Sequence, residues 1–370
     1  MIIGVTKELK NNEFRVGLTP DNVSTLVNKG NQLLIETHAG GGAGFSDDEY
    51  IVAGARIIQD AKEVWDTADM IVKVKEPEEC EYNLLKEEQI LYTYLHLAPN
   101  PQLTEVLISK KVKAVAYETI TDAEGNLPCL RPMSQIAGRL SIQEGAKYLE
   151  RNFGGRGLLL GGVPGVERGH VVIIGGGITG TYAAKVAIGM DAQVTLLDVN
   201  HNRLAYLDDI FGASLNTLYS TEANLRKCLA DADLVIGSVL IPGASTPKLV
   251  KREHLKLMKK GAVIVDIAID QGGCCESSHT TTHDDPVYID EGIVHYCVGN
   301  MPGAVPRTST IALTNTTIGF AAMIADMGLE AACKTAKGLA DGVNIYNGKC
   351  TNINVAKSLN LEYTPLETLI

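Results

Sequence analysis

Short apolar runs alternate with segments of helical periodicity through the first part of the chain. The runs 2–8 and 31–37 have the length of strands, and the segment 19–30 between them carries its apolar residues on one helical face. Thr19 is a suitable N-cap, and Pro20 suits the first helical position. The pattern therefore predicts a strand, a capped helix and a second strand in this order.

The same alternation continues along the chain. It predicts a helix at 46–55, strands at 69–75, 89–96 and 113–119, and helices at 101–111 and 132–150. A second series of strands and helices begins at His170 and runs to about residue 306, and the tail from Arg307 has helical periodicity with no strand series of its own. Strands that alternate with helices form parallel sheets. We therefore predict an α/β fold with two doubly wound parallel-sheet domains.

A glycine-rich turn opens the second series. Gly175, Gly177 and Gly180 follow an apolar strand and precede an alanine-rich helix. This GxGxxG spacing allows a tight turn, a close approach of a pyrophosphate to the backbone, and close packing of helix on strand. The free N–H groups of the helix start, around Ile178 and Thr179, would face the phosphates.

An acidic residue completes the dinucleotide-binding pattern. The next strand ends at Asp198, 18 residues after Gly180. A carboxylate there accepts hydrogen bonds from ribose hydroxyls and repels a 2′-phosphate, so NAD is favoured over NADP. Arg203, five residues further on, weakens that preference slightly.

Later strands of the second series should end at the same crevice, because ligands of such sheets lie beyond the carboxyl ends of the strands. The residues expected at these ends are Ser238, Val239, Leu240, Ile267, Asp270, Asn300 and Met301.

Two lysines interrupt the apolar run 71–77. Lys73 and Lys75 would point to the same face of a strand. They could mark a solvated edge, or Lys75, at the strand end, could reach into a site. On the residues alone a solvated edge is the better interpretation of both.

Three further ionisable residues could carry chemistry. Arg15 could pair with a nearby acid or clamp a carboxylate with two hydrogen bonds. His96 is the last residue of the predicted strand 89–96. An imidazole in this position can act as an acid–base group near neutral pH. Asp270 could cap a turn or lie beside the cofactor.

The segment "CCESSHTTTH" (274–283) contains residue types that bind zinc. Adjacent cysteines do not easily ligate one tetrahedral ion, and no second cluster completes the set. We predict no metal site and interpret the segment as a loop over the cofactor.

Composition narrows the class of protein. The 370 residues suit two domains, and the net charge of −11 argues against a nucleic-acid or anionic-membrane partner. The eight cysteines form no CxxC pair, and the chain begins with an apolar strand instead of a secretory signal. We therefore predict reduced thiols, a cytoplasmic location and no transmembrane segment.

Several distant segments together resemble one family. The stretches "GVTKELKNNEFRVGLTP", "IVKVKEP", "LYTYLHLA", "IDQGGC" with "TTTHDDPVY", and "VHYCVGNMPGAVPRTST" are similar to those of the bacterial NAD-dependent alanine dehydrogenases, which also resemble transhydrogenase alpha subunits. The resemblance runs from residue 1 to about 320 and continues more loosely to the end.

The resemblance implies a domain organisation. The catalytic domain would comprise 1–130 and return as a helical segment at 307–370, and the NAD-binding Rossmann domain would comprise 131–306. The resemblance also implies a homohexamer.

The resemblance further implies roles for individual residues. Arg15 and Lys75 would hold the substrate carboxylate, and His96 and Asp270 would be the acid–base pair. Lys75 is then the site residue, and Lys73 its solvated neighbour. The residues that match cofactor contacts of the family are Ser134, Asp198, Arg203, Ser220 and Val298 to Met301, and His279 stands where a longer basic residue is usual.

The implied activity is reversible oxidative deamination of L-alanine to pyruvate and ammonia, with hydride transfer from the alanine Cα to NAD. Lys75 would also polarise the developing carbonyl, and Tyr94 and Met133 would bound the pocket for the methyl group. The alternatives are the nucleotide-binding component of a transhydrogenase, an opine- or saccharopine-type dehydrogenase with a larger substrate, and a non-enzymatic NAD-sensing or structural protein.

Overall fold

The computed structural model describes residues 1–239 and 246–370. These residues form two compact units. The first unit comprises Met1–Met133 and Val305–Ile370, and the second comprises Ser134–Ala304.

The first unit is built on an eight-stranded sheet with the order β15-β14-β6-β5-β4-β1-β2-β3. Its strands are β1 (Ile2–Val5), β2 (Gln32–Glu36), β3 (Arg56–Ile58), β4 (Met70–Val72), β5 (Ile90–Thr93), β6 (Lys113–Ala116), β14 (Val343–Tyr346) and β15 (Lys349–Cys350). Its helices are α1 (Pro20–Asn28), α2 (Asp47–Val52), α3 (Ala61–Thr67), α4 (Pro101–Ser109), α9 (Pro306–Met327), α10 (Leu329–Thr335), α11 (Lys337–Gly342) and α12 (Ile353–Leu359). The strands from β6 to β3 are parallel.

The second unit contains a seven-stranded sheet, counted over its described residues, with the order β12-β13-β11-β10-β7-β8-β9. Its strands are β7 (His170–Ile174), β8 (Gln193–Asp198), β9 (Asn216–Tyr219), β10 (Leu234–Gly237), β11 (Val263–Asp266), β12 (Val287–Asp290) and β13 (Ile293–Tyr296). Its helices are α6 (Ile178–Gly189), α7 (His201–Phe211) and α8 (Glu222–Asp231), and α5 (Arg131–Tyr148) begins just before the unit boundary. All neighbouring strands are parallel except β12 and β13.

Both sheets are mostly parallel and alternate with helices along the chain, so the predicted α/β class is confirmed. The central strands β4, β10 and β11 are fully buried, and their residues are nonpolar except Asp266 at the end of β11. This pattern is typical of parallel strands that are covered on both faces.

The first helix begins with the cap that its sequence predicts. The Thr19 hydroxyl accepts the Asn22 N–H, and the Asn22 side chain accepts the Thr19 N–H at 3.0 Å. This reciprocal cap satisfies two N–H groups that would otherwise lack partners at the helix start. The predicted N-cap at Thr19 and Pro20 at the first helical position are confirmed.

The tail departs from the expectation that it is helical and has no strand series of its own. After α11 the chain forms β14 and β15, and β14 pairs antiparallel with β6. Four residues of apolar alternation directly after a glycine are too short to separate from the helical periodicity before them. The expectation was therefore wrong for 343–350.

Candidate active site

Arg15 lies in the loop between β1 and α1 and is held by an acid that the sequence analysis did not single out. Its side chain is 2% exposed. The Nε and Nη2 atoms donate to the two carboxylate oxygens of Glu13, each at 2.6 Å, and Nη1 lies 3.2 Å from the Met133 sulfur. The structure thus brings together Arg15 and Met133, two residues predicted to contact the substrate.

The electrostatics keep Arg15 charged. Burial lowers the pKa of Arg15, but the hydrogen bonds and the negative charge of Glu13 outweigh this effect, so the pKa is raised. A bidentate pair with fixed geometry also orients the guanidinium plane.

Lys75 is a second cation in the same part of the first unit. It is half-buried, and its pKa is lowered by burial and then by the positive charge of Arg15. Two positive charges that repel one another in a dehydrated environment are stabilised by an added anion. A substrate carboxylate is such an anion.

Lys73 does not lie where the sequence analysis expected it. β4 ends at Val72, and the Lys73 side chain is fully buried between Glu8, at 3.4 Å, and Glu81, at 3.1 Å. The expectation of a solvated neighbour was wrong, because alternation along a strand cannot show that acids outside the strand enclose the lysine. Lys73 is a structural cation.

His96 lies just beyond β5 with its side chain 43% exposed. Its Nδ1 is 3.3 Å from Glu76 Oε2, and the other oxygen of Glu76 accepts from Lys10 Nζ at 2.6 Å. Burial raises the pKa of Glu76, but the hydrogen bonds from His96 and Lys10 outweigh it and hold the pKa well below its usual range. An ionised carboxylate only accepts hydrogen bonds, so Nδ1 carries the proton and Nε2 is the basic nitrogen.

Tyr94 has a fixed hydroxyl. Its OH donates to the Cys129 carbonyl at 2.7 Å, and its ring stacks beside the His96 imidazole with centroids 5.9 Å apart. Burial raises the pKa of Tyr94 well above its ordinary value. The ring face, therefore, is what Tyr94 offers to a neighbouring group.

The glycine turn of the second unit has the geometry of a phosphate-binding loop. Gly175 has a φ of 103°, and a Cβ on Gly180 would lie 1.9 Å from the Gly175 carbonyl. Helix α6 begins at Ile178, so Ile178 and Thr179 stand at its N-terminus. The built Cβ of Gly138 on α5 would lie 2.2 Å from Thr179 O.

Ser134 is placed by the same helix packing. It lies four residues before Gly138 on α5, and residues with this spacing share a helix face. Ser134 is half-buried on the face that packs on the start of α6.

Asp198 is tied to the glycine turn. Its Oδ2 accepts the Gly176 N–H at 2.6 Å and its Oδ1 accepts the Asn200 N–H at 2.8 Å. Ser220 N donates to the Asp198 carbonyl at 3.0 Å. Arg203 donates from Nε to the Gly176 carbonyl and from Nη2 to Thr181 Oγ1 at 2.6 Å.

The later strand ends give a second group of contacts. Asp270 is exposed in the 3₁₀ turn Ile267–Gln271, and its Oδ2 lies 3.5 Å from the Asn300 N–H. Asn300 has a φ of 56°, and Val298 and Met301 beside it are buried. The structure therefore brings Asp270 to the predicted turn at 298–301.

The remaining residues predicted to contact the cofactor are Val239, Ile267, His279 and Leu240. Val239 lies beside the glycine turn, with its Cγ2 3.2 Å from the position that a Cβ on Gly175 would occupy. Ile267 is half-buried at the start of its 3₁₀ turn. The His279 ring is exposed and stacks on Tyr288 with centroids 3.7 Å apart. Leu240 lies outside the described residues.

Two side-chain clusters have metal-ligand residue types within the described parts of the chain. In the first, Asp266 accepts the N–H groups of Cys274 and Cys275 and the Ser278 hydroxyl. A hydrogen bond with Cys275 and burial raise the pKa of Cys274, which favours the thiol over the thiolate that metals bind.

The second cluster is Glu222, Glu253 and His254. His254 Nδ1 accepts the Lys251 N–H, and its Nε2 lies 2.9 Å from Glu222. Both ring nitrogens are therefore engaged in hydrogen bonds, and neither cluster supports a metal proposal.

Over the ranges 1–239 and 246–370, we find no helix with the length and apolar content needed to cross a membrane.

The sequence matches two family descriptions. Residues 4–137 match "Alanine dehydrogenase/PNT, N-terminal domain", and residues 141–353 match "Alanine dehydrogenase/PNT, C-terminal domain". Alanine dehydrogenases of Methanococcus maripaludis and Staphylococcus epidermidis are 57% and 53% identical to the chain, each over 99% of both sequences.

Comparisons with solved structures indicate the same fold. A structure titled L-alanine dehydrogenase superposes with a TM-score of 0.95 at 50% identity and covers 97% of this chain and 99% of that one. A transhydrogenase from Sinorhizobium meliloti shares the fold with a TM-score of 0.82 at 22% identity, over 95% of this chain and 99% of its own. The protein is thus an oxidoreductase that uses a nicotinamide cofactor, and it belongs to the alanine dehydrogenase/PNT family.

Proposed function

We propose that this protein is an NAD-dependent alanine dehydrogenase that interconverts L-alanine and pyruvate with ammonia. The observation that carries the proposal is the pair of cations Arg15 and Lys75, whose charges repel one another in a largely buried part of the first unit. A transhydrogenase moves hydride between two dinucleotides and has no need of this carboxylate clamp. Relatives named alanine dehydrogenase at 52–57% identity support the same activity.

The carboxylate of the substrate is assigned to Arg15 and Lys75. Glu13 fixes the guanidinium of Arg15 through two hydrogen bonds, so the plane of Arg15 is oriented before substrate binds. Lys75 adds a mobile point charge, which also polarises the carbonyl of pyruvate. Misplacement of the reacting carbon by about 1 Å can cost about 100-fold in rate, which gives two cations on one small substrate a purpose. Met133, beside Arg15, and the Tyr94 ring would bound the methyl group.

Proton transfer is assigned to His96 and Asp270. The alanine ammonium must lose a proton before its nitrogen lone pair can expel hydride from Cα. His96 Nε2 is suited to this step, because Glu76 holds the proton on Nδ1. Water then adds to the iminium carbon, and the carbinolamine loses ammonia to give pyruvate. The exposed carboxylate of Asp270 is the second proton carrier.

The second unit has residues that fit a dinucleotide. The space at Gly180 is too small for any side chain, the α6 N-terminus can receive a phosphate, and Asp198 is held at the end of β8. When bound, the nicotinamide accepts hydride at C4. Asp198 favours NAD because its negative charge repels a 2′-phosphate. Arg203 is engaged with Gly176 and Thr181, which reduces its value as a 2′-phosphate partner.

The family resemblance also supports a homohexamer and a cytoplasmic location. Light scattering of the purified protein tests the first part, and a mass near that of one or two chains would contradict it.

The decisive experiment follows NADH absorbance with purified protein, ammonium and pyruvate. We expect oxidation of NADH and little oxidation of NADPH. The matched variant is Arg15→Lys, which keeps the positive charge and loses the bidentate geometry, and we expect its KM for pyruvate to rise. Absence of NADH oxidation in a protein that still binds NADH would refute the alanine activity, and a dinucleotide acceptor and larger oxo acids would then be tested.

A further inference from the structure

His96 has a left-handed backbone conformation, which is uncommon in residues other than glycine. Its φ is 46°, in the left-handed region. A non-glycine residue stays in that region only where surrounding groups hold it, and such residues cluster at functional sites.

The holding group is a carboxylate from the neighbouring strand. Glu118 lies in the 3₁₀ turn Tyr117–Thr119 directly after β6, and β6 pairs in parallel with β5, which leads to His96. Glu118 Oε1 accepts the His96 N–H at 2.7 Å. The Leu95 N–H lies 3.1 Å from Oε1 and 3.2 Å from Oε2 of the same carboxylate.

Two acids therefore act on His96 from different directions. Glu118 binds its backbone and Glu76 binds its imidazole Nδ1 at 3.3 Å. The left-handed backbone sets the direction in which the Cβ leaves the chain, so a group that fixes this backbone also fixes where the imidazole can reach. Leu95 is fully buried and anchors the other side of the turn.

We propose that Glu118 is a positioning residue for the acid–base histidine, acting through the backbone of His96. The proposal rests on the proposed function for its kinetic consequence and on geometry alone for its structural consequence. Glu118 would not contact the substrate. Its carboxylate would hold the imidazole in the orientation that proton transfer requires.

The kinetic test compares Glu118→Ala and Glu118→Gln with Glu105→Gln, a change at an exposed glutamate of α4. We expect kcat for pyruvate amination to fall by about tenfold or more in Glu118→Ala, with KM for pyruvate within threefold of the wild-type value. Glu118→Gln retains one oxygen acceptor and should fall between, by about threefold. A kcat within twofold of the Glu105→Gln control in both variants overturns the proposal.

A second measurement does not depend on turnover. Diethyl pyrocarbonate modifies exposed histidines, and peptide mass spectrometry gives the rate at each one. We expect His96 to react about threefold faster in Glu118→Ala, because its ring is released from Glu76, while the exposed His38 reacts at an unchanged rate. An unchanged rate at His96 contradicts the proposal.

The two measurements also separate the proposals from one another. If the wild-type protein does not act on pyruvate, the proposed function fails and the modification rate alone decides the role of Glu118. If Glu118→Ala does not fold, the isosteric Glu118→Gln is judged by the same two measurements, with a smaller increase in the His96 rate expected and no change again counting against the proposal.

Discussion

The Glu13 carboxylate accepts two hydrogen bonds from the Arg15 guanidinium, each 2.6 Å long, and both side chains are at most 2% exposed. This pair keeps the buried Arg15 charged and fixes the orientation of its guanidinium inside the first unit. A carboxylate substrate then meets a cation that is already ordered, so substrate binding does not lose the entropy of ordering the guanidinium.

Glu13→Gln should therefore affect both stability and substrate affinity. Loss of the negative partner of a buried arginine is expected to lower the free energy of unfolding by about 3 kcal/mol. KM for pyruvate should rise by about tenfold, because Arg15 loses its fixed plane. Urea unfolding and steady-state kinetics check the two effects, with the exposed Glu63→Gln as control. If Glu13→Gln matches that control in both measurements, the role given to Glu13 is wrong.

Lys73→Met should destabilise the protein through the acids that it leaves behind. Glu8 and Glu81 both lie within 3.4 Å of Lys73 and are nearly fully buried. Removal of their shared cation is expected to cost about 3–5 kcal/mol of unfolding free energy. The control is Lys62→Met, which removes an exposed lysine paired with Asp66. A Lys73→Met protein as stable as the control would contradict the buried triad.

Lys75→Met, in contrast to Lys73→Met, should impair catalysis. Turnover should fall by at least about 100-fold, because Lys75 is assigned to the carboxylate and the developing carbonyl. NADH binding, measured by fluorescence titration, should stay within twofold of the wild-type value. Loss of NADH binding together with turnover would remove Lys75 from the substrate site.

The stability of Lys75→Met should also depend on pH in a defined direction. Burial and the charge of Arg15 lower the pKa of Lys75 below its ordinary 10.5, so the unfolded chain binds this proton more tightly than the folded protein does. Protonated Lys75 therefore destabilises the fold at neutral pH, and the effect disappears as the pH rises toward 10.5. We expect Lys75→Met to be more stable than the wild type at pH 7, with the difference shrinking in alkaline buffer. A difference that grows with pH contradicts this sign.

Asp198→Asn should relax the choice of cofactor. The amide oxygen can still accept one backbone N–H, from Gly176 or Asn200, so the turn should remain folded, while the charge that repels a 2′-phosphate is gone. The ratio of kcat/KM for NADPH to that for NADH is expected to rise by about tenfold. Asp191→Asn, at an exposed aspartate of the same unit, serves as control. An unchanged ratio would show that Asp198 does not set the preference.

Local patterns in the sequence predicted those features that depend on neighbours along the chain. The Thr19 cap involves residues three positions apart, and the turn at Gly175 and Gly180 lies within six residues, so each is visible in a short window. The parallel sheets followed from the alternation of strand and helix lengths.

Features that depend on partners far apart in the chain could not be predicted from the sequence. Lys73 looked like a surface lysine because Glu8 lies 65 residues away, and nothing in the local pattern indicates that the two meet. Glu118 likewise reaches His96 only through the pairing of β5 with β6, 22 residues apart in the chain. Glu13 is different, because an acid two residues before an arginine is a local signal that could have been used.

The antiparallel pairing of β14 with β6 has a consequence for biosynthesis. β6 ends at Ala116 and β14 begins at Val343, so the ribosome must translate the whole second unit before this sheet can acquire its last two strands. At typical elongation rates this interval is on the order of tens of seconds. A sheet that forms during synthesis would present β6 as an unpaired edge for that time, and such edges are prone to aggregation unless chaperones protect them.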